Sequence, residues 1–469
     1  MVFNSLHFLV FFGIVTSAYF LLAHKYRWAL LLAASCYFYM AFVPIYLGIL
    51  GLTIVIDYFA GIYLERFQGG AKKIFLGCSL LANLGVLAIF KYYFFFTDNF
   101  NFLASYFSIP IHFPVLNILL PIGLSFHTFQ AMSYTIEVYR GKQKAERNFG
   151  IYSLYVMFYP QLVAGPIERP QNLIHQFYEK HVWDSDRVKL GLLQMMQGFF
   201  KKVVIADRLA MVVDPAYANL SHQSSLNLII ASIFYSFQIY CDFSGYSDIA
   251  IGASKVMGFK LMNNFNAPYT AKSIPDFWRR WHISLSTWFK DYVYFSLGGN
   301  RVSVPRWYIN IMIVFILSGF WHGASWNFVI WGALHGLFQL MGLTLNRIFP
   351  NLAADEQKSA AGVWMYRLFT FLLVTIAWVF FRIPKFGDIQ MYFGQLTHGS
   401  ILDPISLAFN TNELLFSILL IVGLYLYDFK RDKIKVDSVK LFWPIISGLA
   451  FLIYFFGVFN LKQFIYFQF

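Results

Sequence analysis

WYINIMIVFILSGFWHGASWNFVIWGALHGLFQLMGLTLN, from Trp307 to Asn346, runs forty residues without one Asp, Glu, Lys or Arg. One crossing of a hydrocarbon core about 30 Å thick takes about 20 apolar residues in a helix. The stretch therefore predicts two membrane helices, or one span and a re-entrant piece. Inside it lies SGFWHGASWNFVIWGALHG, Ser318 to Gly336, where Gly319 and Gly323 flank His322. Those glycines let the backbone bend and give a ligand room to approach. A neutral imidazole in such surroundings suits proton abstraction from a hydroxyl attacking a thioester. A lone histidine in an apolar run is also commonly a satisfied core residue, so sequence physics leaves both roles open. His335, thirteen positions on (335 − 322 = 13), falls about 220° around an unbroken helix. Both rings can point into one site only if Gly323 or Gly332 bends the path.

The rest of the chain has the same character. Of 469 residues, 58% are hydrophobic, 21% aromatic and 13% charged, against about 25% charged in soluble domains. An ordinary soluble fold is excluded. Apolar runs of spanning length recur throughout, and they predict an all-α integral membrane protein, a polytopic bundle of about eleven transmembrane or re-entrant helices. Met1 to His24 has no basic residue ahead of its apolar core and no small-residue cleavage site, so it reads as an uncleaved first span.

Lys and Arg exceed Asp and Glu by 13. Lys25 and Arg27 follow the first span, Lys72 and Lys73 the third, and Arg140, Lys142, Lys144 and Arg147 the fifth. Basic loops face the cytoplasm, which places the N-terminus outside. The excess fits membrane topology and anionic lipid; it forms no continuous patch for nucleic acid. Cys36, Cys78 and Cys241 stand apart in apolar runs with no CxxC spacing, so they read as core residues, with no disulfide and no metal site.

Tyr152 to Pro170, YSLYVMFYPQLVAGPIERP, is too interrupted by Pro160, Gly165, Pro166 and Pro170 for one ordinary span. Broken backbone at membrane depth needs protein or a water-filled cavity around it. Glu168 to Asp186 carries mixed charge and leads into an amphipathic segment ending at Lys201 and Lys202, expected at the cytoplasmic interface. After Leu345 simple spans resume, separated by polar loops near Lys385 and Lys430 to Lys435. There is no internal repeat.

Two further stretches put ionisable groups beside apolar runs, where they are costly and mark functional candidates. In SFQIYCDFSGYSDIAIG, Ser236 to Gly252, Gln238 and Asp242 share a helix face while Asp248 lies about 240° around from Asp242. The Ser244-Gly245 step could break that helix, and the two carboxylates would then tie separate contacts. In SIPDFWRRWHISLSTWFKDYVYFSLGGNR, Ser273 to Arg301, Ser273, Pro275 and Asp276 predict a helix start. Trp278, Trp281 and Trp288 suit an interfacial helix with its aromatics at headgroup level. Alternatively Arg279 or Arg280 meets an anionic ligand, since guanidinium groups bind phosphates bidentately. His282 falls on the Trp278 and Ser286 face of a continuous helix.

FWRRWHISLSTW from Phe277, followed by FWHG from Phe320, resembles the membrane-bound O-acyltransferase family, closest to its alginate O-acetylating branch. LLPIGLSFHTFQAMSY from Leu119, FYPQLVAGPIERP from Phe158, GFFKKVVIADRLA from Gly198, YCDFSGYSDIAIG from Tyr240, NFNAPYT from Asn264 and LGGNR from Leu297 extend the resemblance over about 1–345. It implies a core with a catalytic funnel over 1–345, with 346–469 as further helices of the same membrane domain. The family's near-invariant histidine falls on His322 and its second histidine on His282. Arg279, Arg280, Asp242, Trp278 and Trp281 would shape the donor site. The resemblance further implies acetyl-coenzyme A as donor substrate, no permanently bound cofactor, a bacterial cytoplasmic (inner) membrane location, and a separate periplasmic or extracellular SGNH-type partner that passes acetyl to a polysaccharide. D-Alanyl transfer to teichoic acid is the alternative within the family. A transporter or flippase would also contain broken helices and buried Asp residues, but would usually show inverted repeats.

Overall fold

The computed structural model describes residues 1–116, 121–163, 165–349, 359–400, 405, 410–430, 439–459 and 464–465. Among these residues every regular element is helical. Among the described residues seven helices are long and apolar enough to cross a bilayer: Tyr46–Arg66, Gly69–Tyr106, Ser225–Met257, Val304–His322, Trp326–Ile348, Ala360–Arg382 and Thr411–Lys430. Leu6–Leu21 and Phe442–Phe456 are shorter apolar helices. The expected count of about eleven is not confirmed; His24–Met40 and Leu124–Tyr139 are only 17 and 16 residues long. Leu52 is 58% exposed and Leu81 74%. Apolar side chains so exposed along spanning helices are the faces that lipid covers. The protein is a multi-pass membrane protein.

The chain forms two compact units, Met1–Gln197 with Tyr246–Met262, and Gly198–Gly245 with Asn263–Ile465. In the first, Tyr46–Arg66 packs on Gly69–Leu87 and Leu124–Tyr139. The fully buried Asp57 accepts from Ser79 Oγ at 2.6 Å and from Asn83 Nδ2 at 2.8 Å, so a carboxylate at membrane depth is compensated by donors. Glycine admits a large ring twice: Tyr134 lies over Gly61 and Trp28 over Gly150.

The basic clusters of this unit gather at one end. Arg147 pairs with Glu65, the Tyr58 hydroxyl donates to the Arg147 carbonyl at 2.6 Å, and Lys72 sits over the Tyr139 ring at 5.2 Å. Tyr178 joins them through Glu146, and His24 and Arg27 reach the 178–181 backbone. Lys72 and Lys73, expected in a loop, instead occupy the first turns of Gly69–Leu87, because the connection is only Phe67 and Gln68.

Tyr152 to Pro170 is broken as expected: Phe149–Met157 and Tyr159–Leu162 are separate helices, and Pro170 opens another. Ala164 lies outside the described residues. Asp184 starts the amphipathic helix Ser185–Phe199, accepting from the Asp186 and Arg187 amides at 3.0 Å. Those two N–H groups hold its carboxyl below the usual range. Both ends of the stretch are covered by protein. Glu168 is 1% exposed, accepting from Met262 N, and Lys202 is 2% exposed.

In the second unit, Trp307 to Asn346 forms two helices, Val304–His322 and Trp326–Ile348, closely packed side by side. Small residues let them touch. A Cβ on Gly319 would overlap the Phe328 carbonyl oxygen, and one on Gly332 that of Phe315. Ser225–Met257 runs unbroken through Ser244-Gly245. Gly245 serves close approach instead: a Cβ there would stand 2.7 Å from the Gly198 carbonyl oxygen and 3.2 Å from Lys202 N. The cysteines are all free; Cys241 is buried, but Cys78 is exposed on its helix and is no core residue. Beyond Lys430, the loop expected to Lys435 lies outside the described residues.

Candidate active site

Ser273 caps Ile274–Arg280 through the Asp276 amide at 3.3 Å, with Pro275 in the first turn as the sequence predicts. The helix does not continue to His282. It stops at Trp281, His282 takes a left-handed conformation (φ 43°, ψ 53°), and a new helix runs from Ile283 to Phe289. The face shared with Trp278 and Ser286 therefore does not exist. The irregular, bent chain around Asn264 pairs with both sides of the break: Asn266 N donates to Arg280 O and Ile283 N to Asn264 O, both at 2.9 Å. A non-glycine residue in this region stores strain on the order of 1–3 kcal/mol, which surrounding contacts must hold.

The same Asn264 fixes the His282 ring. Its Oδ1 accepts from Ser284 N at 3.3 Å and Ser284 Oγ at 2.9 Å, and it lies 3.2 Å from His282 Nδ1. A backbone N–H can only donate, so the shared atom is the amide oxygen and His282 Nδ1 carries the proton. In the neutral ring Nε2 is then the basic nitrogen. The ring is fully buried, edge-on to Phe243 at 4.6 Å.

His322 ends Val304–His322, which Gly323 terminates in extended backbone. The ring is 4% exposed and edge-on to Trp331 at 5.1 Å and Phe381 at 5.3 Å. Its centre lies 6.4 Å from that of His282. The path bends at Gly323, so His335 stands on the next helix. Trp331 lies between the two rings, 5.0 Å from His335. Trp278 Nε1 donates to His335 Nδ1 at 3.3 Å.

The remaining candidates scatter. Trp281 and Trp288 are 1% and 3% exposed, so they are core residues and no headgroup belt. Trp281 packs on Trp378 at 5.0 Å. Arg279 is exposed, whereas Arg280 pairs with Asp276 at 2.9 Å. Asp242 takes Lys202 at 2.6 Å, and Asp248 accepts from Gln194 at 3.3 Å. The two carboxylates thus serve separate contacts without any break in their helix. Lys202 also meets Asp207 at 2.8 Å, from a π-helical stretch, Phe200–Ala206. A cavity of about 270 Å³ lies beside Trp278; Phe315, Trp307 and Ile311 are among its apolar walls, and Ser286, Lys290, Ser318 and Gln339 are among its polar members. Among the described residues no group of His, Cys, Asp and Glu side chains could hold a metal ion. Sequence reading missed Asn264, Phe243 and Trp331, whose parts here depend on long-range contacts that no spacing rule reveals.

The membrane-bound O-acyltransferase family model matches residues 144–381, which carry both histidines. A probable alginate O-acetylase AlgI of Azotobacter vinelandii is 41% identical over 387 residues, covering 81% of this chain and 75% of that protein. A peptidoglycan O-acetyltransferase of Helicobacter pylori is 38% identical over 379 residues, 75% of this chain and 70% of that protein. A teichoic acid D-alanyltransferase of Bacillus subtilis is 30% identical over 239 residues, 48% of this chain and 60% of that protein. With the matched segment holding the paired histidines, and with relatives alike over most of their length, the chain belongs to the membrane-bound O-acyltransferase family and is an acyltransferase.

Proposed function

We propose that the chain takes an acetyl group from cytoplasmic acetyl-coenzyme A and passes it across the bacterial inner membrane for O-acetylation of an alginate-like exopolysaccharide or peptidoglycan. The observation that carries this reading is the buried pair His282 and His322, ring centres 6.4 Å apart, in a chain similar to proteins named for O-acetylation of those two polymers. His322 is the general base. It takes the proton of an acceptor hydroxyl as the oxygen attacks the thioester carbonyl; the carbon–sulfur bond breaks, and the coenzyme A sulfur leaves with that proton. Carbonyls at the C-terminal end of Val304–His322 favour the imidazolium that forms in between. His282, with Nδ1–H held by Asn264, presents Nε2 as a second acceptor or orienting group. General-base help supplies about 10²–10⁴-fold, and positioning in a dry site supplies much of the remainder.

Exposed Arg279 is the guanidinium best placed to meet donor phosphates, because Arg280 is engaged by Asp276. The clustering of Lys and Arg at one end of the first unit supports a cytoplasmic donor side. A separate SGNH-type partner completes transfer to the sugar. The experiment is incubation of purified protein with labelled acetyl-coenzyme A. Release of coenzyme A with label passing to a partner or polymer is expected. Turnover of a D-alanyl thioester in place of acetyl-coenzyme A would overturn the donor assignment. Turnover only in right-side-out vesicles would overturn the sidedness.

A further inference from the structure

Phe464 and Ile465 lie beyond the segment the family model matches, 144–381, yet both are buried, at 0% and 6% exposure. The Ile465 amide donates to Asp242 Oδ2 at 2.8 Å. That carboxylate is itself held by Lys202 Nζ at 2.6 Å, and Lys202 in turn by Asp207 at 2.8 Å. The next side chain after Asp242 is Phe243. Its ring meets Phe464 on one side at 5.7 Å, Phe265 at 4.9 Å, and the His282 imidazole edge-on at 4.6 Å.

From this chain of contacts we propose that Phe464 and Ile465 are positioning residues for His282, acting through Asp242 and Phe243. The physical reasoning has two parts. A buried carboxylate needs its lone pairs satisfied, and Lys202 with the Ile465 amide does this from two directions, which pins the Asp242 and Phe243 turn of the helix. Phe243 is then a fixed wall against an imidazole whose backbone is strained and whose Nδ1 is held by Asn264. Removing Phe464 takes away one of the ring contacts of Phe243, and a ring that can tilt away stops confining His282. Interior packing at native density transmits such a displacement.

The proposal rests on His282 having a part in acyl transfer, so the test separates the two. In the full chain, Phe464→Ala is expected to lower kcat for labelled acetyl transfer about tenfold with KM for acetyl-coenzyme A unchanged, and Phe464→Leu to restore most of it. Ile465→Pro, which removes the donating N–H, is expected to act in the same direction. In a His282→Ala background, Phe464→Ala should cost nothing more, since the group it positions is gone. Independent losses that multiply would overturn the proposal, as would a loss in KM alone. If His282→Ala keeps wild-type activity, the reading of His282 as an active group has failed instead. The positioning claim is then read from the side-chain ¹⁵N shifts of His282 in histidine-labelled protein: a change in Phe464→Ala upholds it and unchanged shifts overturn it. If Phe464→Ala does not fold, Ile465→Pro carries the same comparison, and wild-type kcat in that variant overturns the proposal.

Discussion

The rings of His282 and His322 stand 6.4 Å apart, inclined at 60°, although one begins the short helix Ile283–Phe289 and the other ends Val304–His322. Two breaks in helical path create the pair. Val304–His322 terminates at Gly323, and the chain breaks again at the left-handed His282. If His322 is the base, His322→Ala and His322→Gln should both abolish acetyl transfer while leaving membrane insertion and folding intact. Gln offers a hydrogen bond but takes no proton near neutral pH. His282→Ala should give a large but incomplete loss. The measurement is transfer rate per mole of folded protein. A His322→Gln rate above about a tenth of wild type would contradict a role expected to contribute at least 10²-fold.

Asn264 sets which nitrogen of His282 carries the proton, so Asn264→Ala should lower kcat more than it raises KM. Asn264→Asp retains an acceptor and should lose less. Equal effects of the two variants, measured with donor titrations, would show that Asn264 matters through packing and leaves the tautomer alone.

The fold class was legible because a forty-residue uncharged run admits few alternatives in water; of the two histidines in that run, His322 and His335, the flanking glycines singled out His322. Its neighbourhood was not legible. Straight-helix arithmetic placed His335 on a different face from His322, and placed His282 with Ser286; both results assumed unbroken helices, and Gly323 and the Asn264 pairing break them. Lys202 looked like an interfacial anchor because it ends an amphipathic segment. One carboxylate partner, Asp207, is five positions on (207 − 202 = 5), but the other, Asp242, is forty on (242 − 202 = 40), and no local pattern shows that second contact.

The helix pair that ends at His322 depends on bare backbone contact. Gly319→Ala and Gly332→Ala each push a methyl into a facing carbonyl oxygen and should destabilise by about 1–3 kcal/mol, as overpacking usually does. Gly342→Ala, in open space on the same helix, is the control and should be neutral or slightly stabilising. Thermal stability in detergent by fluorescence-detected chromatography reads the difference. Equal melting temperatures for all three variants would mean that the helices can separate without cost.

His335 is fully buried, its Nδ1 accepting from Trp278 and its ring against Trp331. It therefore holds the wall behind His322. His335→Ala should lose activity in proportion to folded protein, with normal turnover per folded molecule. Trp278→Phe, which keeps the ring and removes the donor, should do the same more mildly. A His335→Ala protein that folds fully and is inactive would move the chemistry to His335.

Lys202 lies 3% exposed at its side chain between Asp207 and Asp242, one cation serving two carboxylates. Removing one partner of a buried ion pair leaves uncompensated charge and costs about 3–5 kcal/mol, whereas replacing charged partners together by neutral groups of similar volume is often nearly neutral. Lys202→Met should therefore sharply reduce folded protein. Adding Asp242→Asn should recover part of it, because one stranded carboxylate is gone, and adding Asp207→Asn as well should recover more. The triple variant tests whether the charges themselves matter to transfer. If they act only by pinning the helix turn before Phe243, the triple variant regains folding and much of the activity. If it folds fully and transfers nothing, the triad takes part in the reaction directly. A single Lys202→Met that folds at wild-type level would show that the three groups are not buried together as charges at all.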